Sequence, residues 1–184
     1  MIFEPKEITL KNGLTAILKT PEAGDGEKML SCIMACCGET EFLVRYPEEW
    51  EGMTAEKEEK WIQNGRDSKS TLIIACYIDG EIVGNCEINF HGSIKTSHRA
   101  VVAISIRQKY WGNGIGSAMF RCLMAAAEAH PGTEIVELEF MEGNDRGRAL
   151  YEKFGFRIVG QRPNAFKLKD GTMLSEFLMQ KKMK

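Results

Sequence analysis

The chain has 184 residues, the usual length of one domain, and 43% of them are hydrophobic, which suffices for a core without disulfide or metal support. Lys plus Arg is 24 and Asp plus Glu is 26, so the formal net charge of −2 argues against binding to nucleic-acid phosphates or anionic membranes. No apolar run approaches the length of a membrane-spanning helix and the first residues lack a signal-peptide pattern, so we expect a cytoplasmic protein.

The N-terminal third of the chain predicts a β-hairpin followed by two helices. Residues 7–19 form two short strands that turn at Asn12-Gly13, a dipeptide typical of tight hairpins. We expect Pro21 to open a helix that runs to Cys37, because proline is favoured in the first helical turn. A second helix is expected after Thr54, whose hydroxyl can cap it and which is followed by acidic residues.

The rest of the chain predicts strands first and then alternating helices and strands. The antiparallel part has strands at 72–78, 82–90 and 100–106, of which the first two are joined at Asp79-Gly80. The alternating part has a helix near 114–130, a strand near 134–141, a helix near 145–154, a strand near 156–162 and a last strand at 174–179. This order predicts a single domain over residues 1–184 of the α/β (α+β) class, with a mixed, mostly antiparallel sheet partly covered by helices.

The six cysteines raise the question of a metal site. No two of the six have Cys-x-x-Cys spacing, and the three histidines show no partnered zinc pattern. In a reducing cytoplasm they are expected to stay thiols and to serve as small core residues. We therefore expect no metal site.

The most informative stretch is the loop between the strand at 100–106 and the helix that follows. It carries Gly112, Gly114 and Gly116 in alternation, with Arg107 and Lys109 close by in sequence. Such glycines let backbone N–H groups converge at the positive end of a helix dipole, which predicts an anion site, although a tight turn alone would also need some of them. The spacing fits neither a P-loop, which needs a lysine after the last glycine, nor a Rossmann fingerprint.

Two motifs in this half of the chain are similar to those of one family. Tyr110-Trp-Gly-Asn-Gly-Ile-Gly-Ser117 resembles the pyrophosphate loop of the GNAT superfamily of acyl-CoA-dependent N-acyltransferases, except that Trp111 stands where that family has Gln or Arg. The segment from Asn144 to Phe156 resembles the family's second signature, with Gly147 in place of the first alanine. The strand predicted at 134–141 precedes it, as the family's order of elements requires.

The resemblance implies a fold and a cofactor. The two central parallel strands would splay apart, and acetyl-CoA would bind as co-substrate to a core at about 72–160, with helices at about 21–65 on the acceptor side. The pantetheine arm would pair with backbone groups of the central strand, and a free N–H there would stabilise the oxyanion. By this resemblance the cofactor contacts fall on Ile104, Ser105, Ile106, Gly112, Asn113, Gly114, Ile115, Gly116, Ser117, Asn144 and Tyr151.

The resemblance also implies catalytic roles. Tyr151 would be the general acid that protonates the departing CoA thiolate, since a phenol can give up a proton and recover it. The base is less defined, because the positions where some relatives carry a glutamate are Val101 and Val102 here. The candidates are Glu139, Glu87, His91 and His98, and a water relay with no single base is an equal alternative.

The function implied is transfer of an acetyl group to a primary amine of a small molecule or of a peptide or protein N-terminus. The acidic stretch from Glu39 to Glu51 would attract a cationic amine, or it is simply a solvated loop. A non-catalytic acyl-CoA sensor of the same fold and a dinucleotide-dependent enzyme are the alternatives. We expect no nucleic-acid or membrane partner, and a monomer or a homodimer, since an exposed final hairpin could pair across a dimer.

Overall fold

The computed structural model describes residues 1–183. Its strands are β1 (Lys6–Thr9), β2 (Thr15–Lys19), β3 (Thr71–Ile78), β4 (Glu81–Phe90), β5 (Arg99–Ile106), β6 (Ile135–Met141), β7 (Arg157–Lys167) and β8 (Met173–Lys182). Its α-helices are α1 (Gly26–Glu39), α2 (Ala55–Asp67), α3 (Ile115–Ala129) and α4 (Asp145–Lys153), and short 3-10 turns lie at Pro47–Trp50 and Gln108–Tyr110. The strands form one sheet in the order β1-β2-β3-β4-β5-β6-β8-β7, in which only β5 and β6 are parallel. The predicted fold class is confirmed.

The first helix starts later than its sequence predicts. It was expected from Pro21, but the chain makes a turn in which the Asp25 carboxylate accepts a hydrogen bond from the Glu22 N–H at 2.8 Å, and α1 begins only at Gly26. A Cβ at Gly26 would lie 2.4 Å from the Ala55 carbonyl oxygen. The glycine therefore lets the starts of α1 and α2 lie against each other.

The boundaries predicted for the other helices and strands agree with those of the structure within a few residues, except in the last hairpin. The strand predicted to end at residue 162 continues to Lys167. Its pairing with β8 is interrupted between Arg162 and Phe166, where Pro163 has no N–H to donate and Asn164 adopts a φ of +54°. A bulge, rather than the end of the strand, accommodates the proline.

The sheet separates two hydrophobic clusters. The larger one lies between the sheet and α3 and α4, and its fully buried members include Leu18, Ile74, Ile88, Met119, Phe120 and Leu123. The smaller one packs β3 and β4 against α1 and α2 through Met29, Cys32, Cys36, Ile62, Ala75 and Tyr77. All six cysteines are buried free thiols, as predicted. Within residues 1–183 no group of three side chains could hold a metal ion, and no helix is long and apolar enough to cross a membrane.

The candidate site lies where the neighbouring strands β5 and β6 separate from each other. Their parallel ladder runs only from Arg99 opposite Ile135 to Val101 opposite Glu137. Beyond it β5 continues along β4 and β6 continues along β8, so a gap opens between the two central strands. Arg99 and Glu137 form an ion pair at the closed end of this gap, and Gln180 donates to the same carboxylate at 3.1 Å. The splayed central pair is thus a feature of the backbone.

Candidate functional site

Backbone groups of β5 face into the gap. Arg107 donates its N–H to the Val83 carbonyl at 3.0 Å, which makes this opposed pair a hydrogen-bonded one. Because such pairs alternate along an antiparallel ladder, the odd-numbered residues of β5 bond to β4 and the even-numbered ones turn their N–H and C=O towards β6. Ile104 and Ile106 lie beyond the β5–β6 ladder, so their groups point into the gap.

The glycine loop joins the end of β5 to α3, and its glycines serve two purposes. Gly112 and Gly114 have φ of +81° and +96°, and Gly114 is the N-cap of α3. Both conformations are ones that other L-residues rarely adopt. Gly116 instead allows close packing, since a Cβ there would lie 3.1 Å from the Leu150 side chain of α4. The three glycines are therefore structural requirements of one strand-to-helix junction.

The same junction exposes a row of hydrogen-bond donors. Among residues 1–183, the N–H groups from Gly112 to Ser117 donate to no backbone or side-chain acceptor, whereas Ala118 donates to the Gly114 carbonyl at 3.0 Å. Free N–H groups at the positive end of a 15-residue helix are suited to an anion. The arrangement is thus suited to an anion, which a tight turn alone would not require.

Trp111 packs beside this loop and holds a cation over it. Its indole N–H donates to the Ile106 carbonyl at 2.6 Å. The guanidinium carbon of Arg146 lies 5.3 Å from the centre of the Trp111 ring, and one of its nitrogens is 4.0 Å from where a Cβ on Gly112 would lie. Arg146 of α4 thus places a positive charge beside Trp111, the aromatic residue of the loop.

Further cations surround the loop. The Lys153 ammonium donates to the Ser117 hydroxyl at 3.2 Å. Lys11, from the β1–β2 hairpin, donates its backbone N–H to the Asn113 carbonyl at 3.1 Å, and Arg121 lies on α3. Both of these side chains line the same cleft as the loop. The free N–H groups of the loop therefore lie in positively charged surroundings.

Two cations that are close to the loop in sequence contact other groups. The guanidinium of Arg107 donates twice to one oxygen of Glu39, at 3.0 and 2.9 Å, and the other oxygen accepts the N–H of Gln108. The Lys109 ammonium lies 4.7 Å from the centre of the Tyr110 ring. The charge of Arg107 is therefore neutralised by an ion pair to α1.

Tyr151 lies deep between the sheet and α3. It is 7% exposed, and its ring centre is 5.4 Å from that of Phe120 and 5.9 Å from that of Phe140. Burial raises the pKa of its hydroxyl to about 12. Within residues 1–183 this hydroxyl has no hydrogen-bond partner, since burial alone shifts its pKa, and the residue lines the cleft. Asn144, at the start of α4, also lines the cleft and caps the helix by accepting the Gly147 N–H at 2.9 Å.

One cleft of about 930 Å³ joins these features. It brings together all eleven predicted cofactor contacts and one of the two predicted carboxylates. They are Ile104, Ser105, Ile106, Gly112, Asn113, Gly114, Ile115, Gly116, Ser117, Asn144, Tyr151 and Glu139. Glu87, His91 and His98 do not line it.

The two candidate carboxylates differ in their surroundings. Glu139 is exposed on the wall of the gap. Glu87 lies on β4 opposite Ala103 of β5, which itself lines the cleft, and accepts a hydrogen bond from the Asn89 amide at 3.0 Å. Burial raises the pKa of the Glu87 carboxyl above its ordinary value. Glu87 is therefore one strand back from the cleft, within the sheet.

The acidic stretch at 39–51 is largely engaged by other parts of the chain. Glu39 is paired with Arg107, Glu48 with Lys169, and Glu49 accepts the Tyr46 N–H at 2.7 Å. What this segment contributes to the cleft is an apolar wall, because Phe42, Leu43 and Val44 line it. Three of the five glutamates in this stretch thus make contacts within the chain.

Lys11, Arg121 and Arg146 are cleft residues that sequence reasoning missed. Lys11 comes from the first hairpin, and nothing in the sequence indicates that this hairpin lies beside the glycine loop. Arg146 occupies a variable position inside the second motif. The charge of Arg146 within that motif was the one signal in the sequence that could have identified it.

Comparison with known proteins agrees with this geometry. The sequence model of the acetyltransferase (GNAT) family matches residues 39–156, which is more than half of the chain. The chain belongs to the GNAT acetyltransferase family. The resemblance inferred from the two motifs is thereby confirmed, and the match includes the gap, the glycine loop and α4.

Individual GNAT relatives are distant in sequence. The chain is 26% identical over 107 residues to the L-amino acid N-acetyltransferase AaaT of Escherichia coli K12, in a match that covers 58% of this chain and 65% of that relative's length. The fold resembles a GNAT-family acetyltransferase from Streptococcus pneumoniae, with a TM-score of 0.83, 22% identity, and coverage of 91% of this chain and 99% of that one. It also resembles yncA from Salmonella typhimurium, solved with its cofactor acetyl-CoA, with a TM-score of 0.77, 13% identity, and coverage of 91% and 93%.

Proposed function

We propose that this GNAT protein transfers the acetyl group of acetyl-CoA to a primary amine. The observation that carries the proposal is the continuous cleft that runs from the free N–H groups of the glycine loop, through the β5–β6 gap, to Tyr151. Acetyl-CoA would supply an activated thioester. The chain would supply the anion site, the oriented backbone groups and the proton donor.

The glycine loop would bind the pyrophosphate. Its free N–H groups are supported by the helix dipole and by the nearby Arg146 and Lys153. The groups of Ile104 and Ile106 that point into the gap would pair with the pantetheine amides, as a further strand would. Because the Ile106 carbonyl already accepts the Trp111 indole N–H, the contact at Ile106 would use its N–H.

Tyr151 would protonate the departing CoA thiolate. Its pKa of about 12 keeps the phenol protonated at neutral pH, so that it can act as a donor and not as a base. Tyr151 lines the cleft, and its hydroxyl has no protein partner among residues 1–183, which leaves it free to meet a ligand atom.

The proton of the incoming ammonium would leave towards a carboxylate. Glu139 lines the cleft and would contact the amine directly, whereas Glu87 would accept the proton through water. The raised pKa of Glu87 brings it closer to that of an amine, as suits a general base.

A ligand-dependent shift in thermal stability tests cofactor binding. With acetyl-CoA at about a hundredfold excess over Kd, a ligand that binds only the folded state adds about 2.7 kcal/mol, or about 5–10 °C in Tm for a domain of this size. NAD and ATP serve as controls and should leave Tm nearly unchanged. A rise with NAD or ATP and none with acetyl-CoA would contradict the proposal.

Turnover is measured next as CoA release with a wide panel of amines. The panel contains L-amino acids, because the curated relative AaaT is an L-amino acid N-acetyltransferase, together with polyamines, aminoglycosides, simple alkylamines and short peptides. Release that depends on an amine supports the proposed function. Binding of acetyl-CoA without turnover by any amine would indicate a non-catalytic sensor of the same fold.

The pH dependence of kcat/KM separates the two carboxylates. A base must be deprotonated, so activity is expected to fall as the pH drops through the raised pKa of Glu87. In Glu87→Gln this acid limb should disappear together with most of the activity. In Glu139→Gln activity should fall at every pH while the limb stays in place. The opposite pattern would make Glu139 the base.

A further inference from the structure

Charge is distributed unequally along the cleft. The cations that line it are Lys11, Arg121, Arg146 and Lys153, and all four surround the glycine loop and the helices next to it. Among residues 1–183, Glu139 is the one carboxylate in the lining. The cleft is therefore positive where a pyrophosphate would bind and carries its negative charge elsewhere.

Glu139 lies on the other face of the sheet. Leu138 and Phe140, its neighbours on β6, are buried in the core with α3 and α4. Because side chains alternate along a strand, Glu139 points to the opposite face, on which α1 and α2 pack. An amine that enters from that face would meet Glu139 on its way to the gap.

Two arginines at the ends of β5 are already paired with glutamates. Arg107, which follows the cleft residues Ser105 and Ile106, is held by two hydrogen bonds to one oxygen of Glu39. Arg99 is paired with Glu137 at the closed end of the gap. A ligand carboxylate at this end would have to compete with a protein carboxylate for either guanidinium.

The remaining wall is apolar. Phe42, Leu43 and Val44 line the cleft after the end of α1, and Val44 is 73% exposed. The Phe42 ring lies 3.5 Å from the place where a Cβ on Gly143 would be, which holds this segment against the loop between β6 and α4. An exposed aliphatic side chain at the rim favours a ligand with an apolar body.

We propose that the acceptor is a primary amine on an apolar body, with no carboxylate on the carbon that bears the amine. This inference rests on the proposed acetyl transfer. An ammonium beside Glu139 is attracted to it, whereas a carboxylate one carbon away would lie within a few ångströms of the same charge. Simple alkylamines and the first residue of a peptide share this chemistry, and free α-amino acids do not.

The test compares acceptors that share one phenyl body. At saturating acetyl-CoA, kcat/KM is measured for L-phenylalanine, L-phenylalaninamide and 2-phenylethylamine by CoA release. The two acceptors without a carboxylate should exceed L-phenylalanine by about tenfold or more. A peptide that begins with phenylalanine and ends in an amide distinguishes the two kinds of acceptor. A higher kcat/KM for the peptide indicates that the acceptor is a chain terminus. A higher kcat/KM for 2-phenylethylamine indicates that it is a small amine.

The role of Glu139 is tested by a ratio of acceptors. In Glu139→Gln the kcat/KM for phenylalaninamide divided by the kcat/KM for phenylalanine should fall towards one. Any general loss of rate cancels in this ratio, because both acceptors are measured with the same variant. Glu142→Gln is the matched control, since the Glu142 carboxylate accepts the Ser175 N–H at 2.8 Å and does not line the cleft. Its ratio should stay at the wild-type value.

Three results would overturn the inference alone. They are a preference for the free amino acid, a ratio that Glu139→Gln leaves unchanged, and turnover with other amines of the wide panel but with none of these carboxylate-free acceptors. No turnover with any amine, in protein that binds acetyl-CoA, would instead overturn the proposed acetyl transfer.

Discussion

Replacing Tyr151 with phenylalanine is expected to lower kcat by about tenfold or more while the Kd for acetyl-CoA changes little. The substitution removes one hydroxyl and keeps the ring that packs against Phe120 and Phe140. Since burial raises the pKa of this hydroxyl to about 12, wild-type activity should show no decline from its ionisation up to about pH 10. Steady-state kinetics with a saturating amine, together with direct titration of acetyl-CoA, provide both readouts.

Tyr46→Phe is the matched control for this experiment. Its hydroxyl accepts the backbone N–H of Lys169 at 3.3 Å, and the residue does not line the cleft. Its kcat should equal that of the wild type. If Tyr151→Phe also keeps the wild-type kcat, Tyr151 is not the proton donor and its role is to pack the core between α3 and the sheet.

Gly114→Asp is expected to raise the Kd for acetyl-CoA by about a hundredfold. Gly114 has a φ of +96° at the N-cap of α3, so an aspartate there would be strained and would place a negative charge within the anion site. Isothermal titration or the ligand-dependent change in Tm measures the loss. Some loss of Tm without ligand is also expected from the strained backbone.

Two further variants separate charge from strain. Gly132→Asp places the same residue at a φ of +81° beyond the other end of α3, with no atom near its Cβ, and should lower stability without changing the Kd. Gly114→Asn keeps the shape of aspartate without its charge and should bind acetyl-CoA more tightly than Gly114→Asp. Wild-type affinity in Gly114→Asp would mean that the pyrophosphate is bound elsewhere.

Local patterns in the sequence determined most of the secondary structure. Hydrophobic alternation, turn dipeptides such as Asn12-Gly13 and the cap at Thr54 act over a few residues, and the structure follows them closely. The predicted boundaries are wrong where a contact between residues distant in sequence determines where an element begins or ends. The start of α1 depends on how closely Gly26 approaches Ala55, and the length of β7 depends on its pairing with β8.

The cofactor end of the candidate site was also accessible from the sequence. The loop from Gly112 to Ser117 and the helix from Asn144 to Tyr151 are continuous segments, and their chemistry depends on residues that are adjacent or one or two helical turns apart. A local pattern therefore identifies them. That these contacts hold acetyl-CoA, and that Tyr151 donates the proton, remain predictions.

Only the tertiary structure decided which charges are free. Arg107 lies beside the glycine loop in sequence but is paired with Glu39, whereas Lys11 comes from the first hairpin and reaches the cleft. Glu87 and Glu139 were equivalent candidates in the sequence, and the sheet places one behind β5 and the other on the wall of the gap. The sequence by itself determined the family, the elements and the position of the glycine loop, because those are encoded in neighbouring residues. The acceptor end was decided by packing between segments distant in the chain, since ion pairing and burial are properties of three-dimensional contacts.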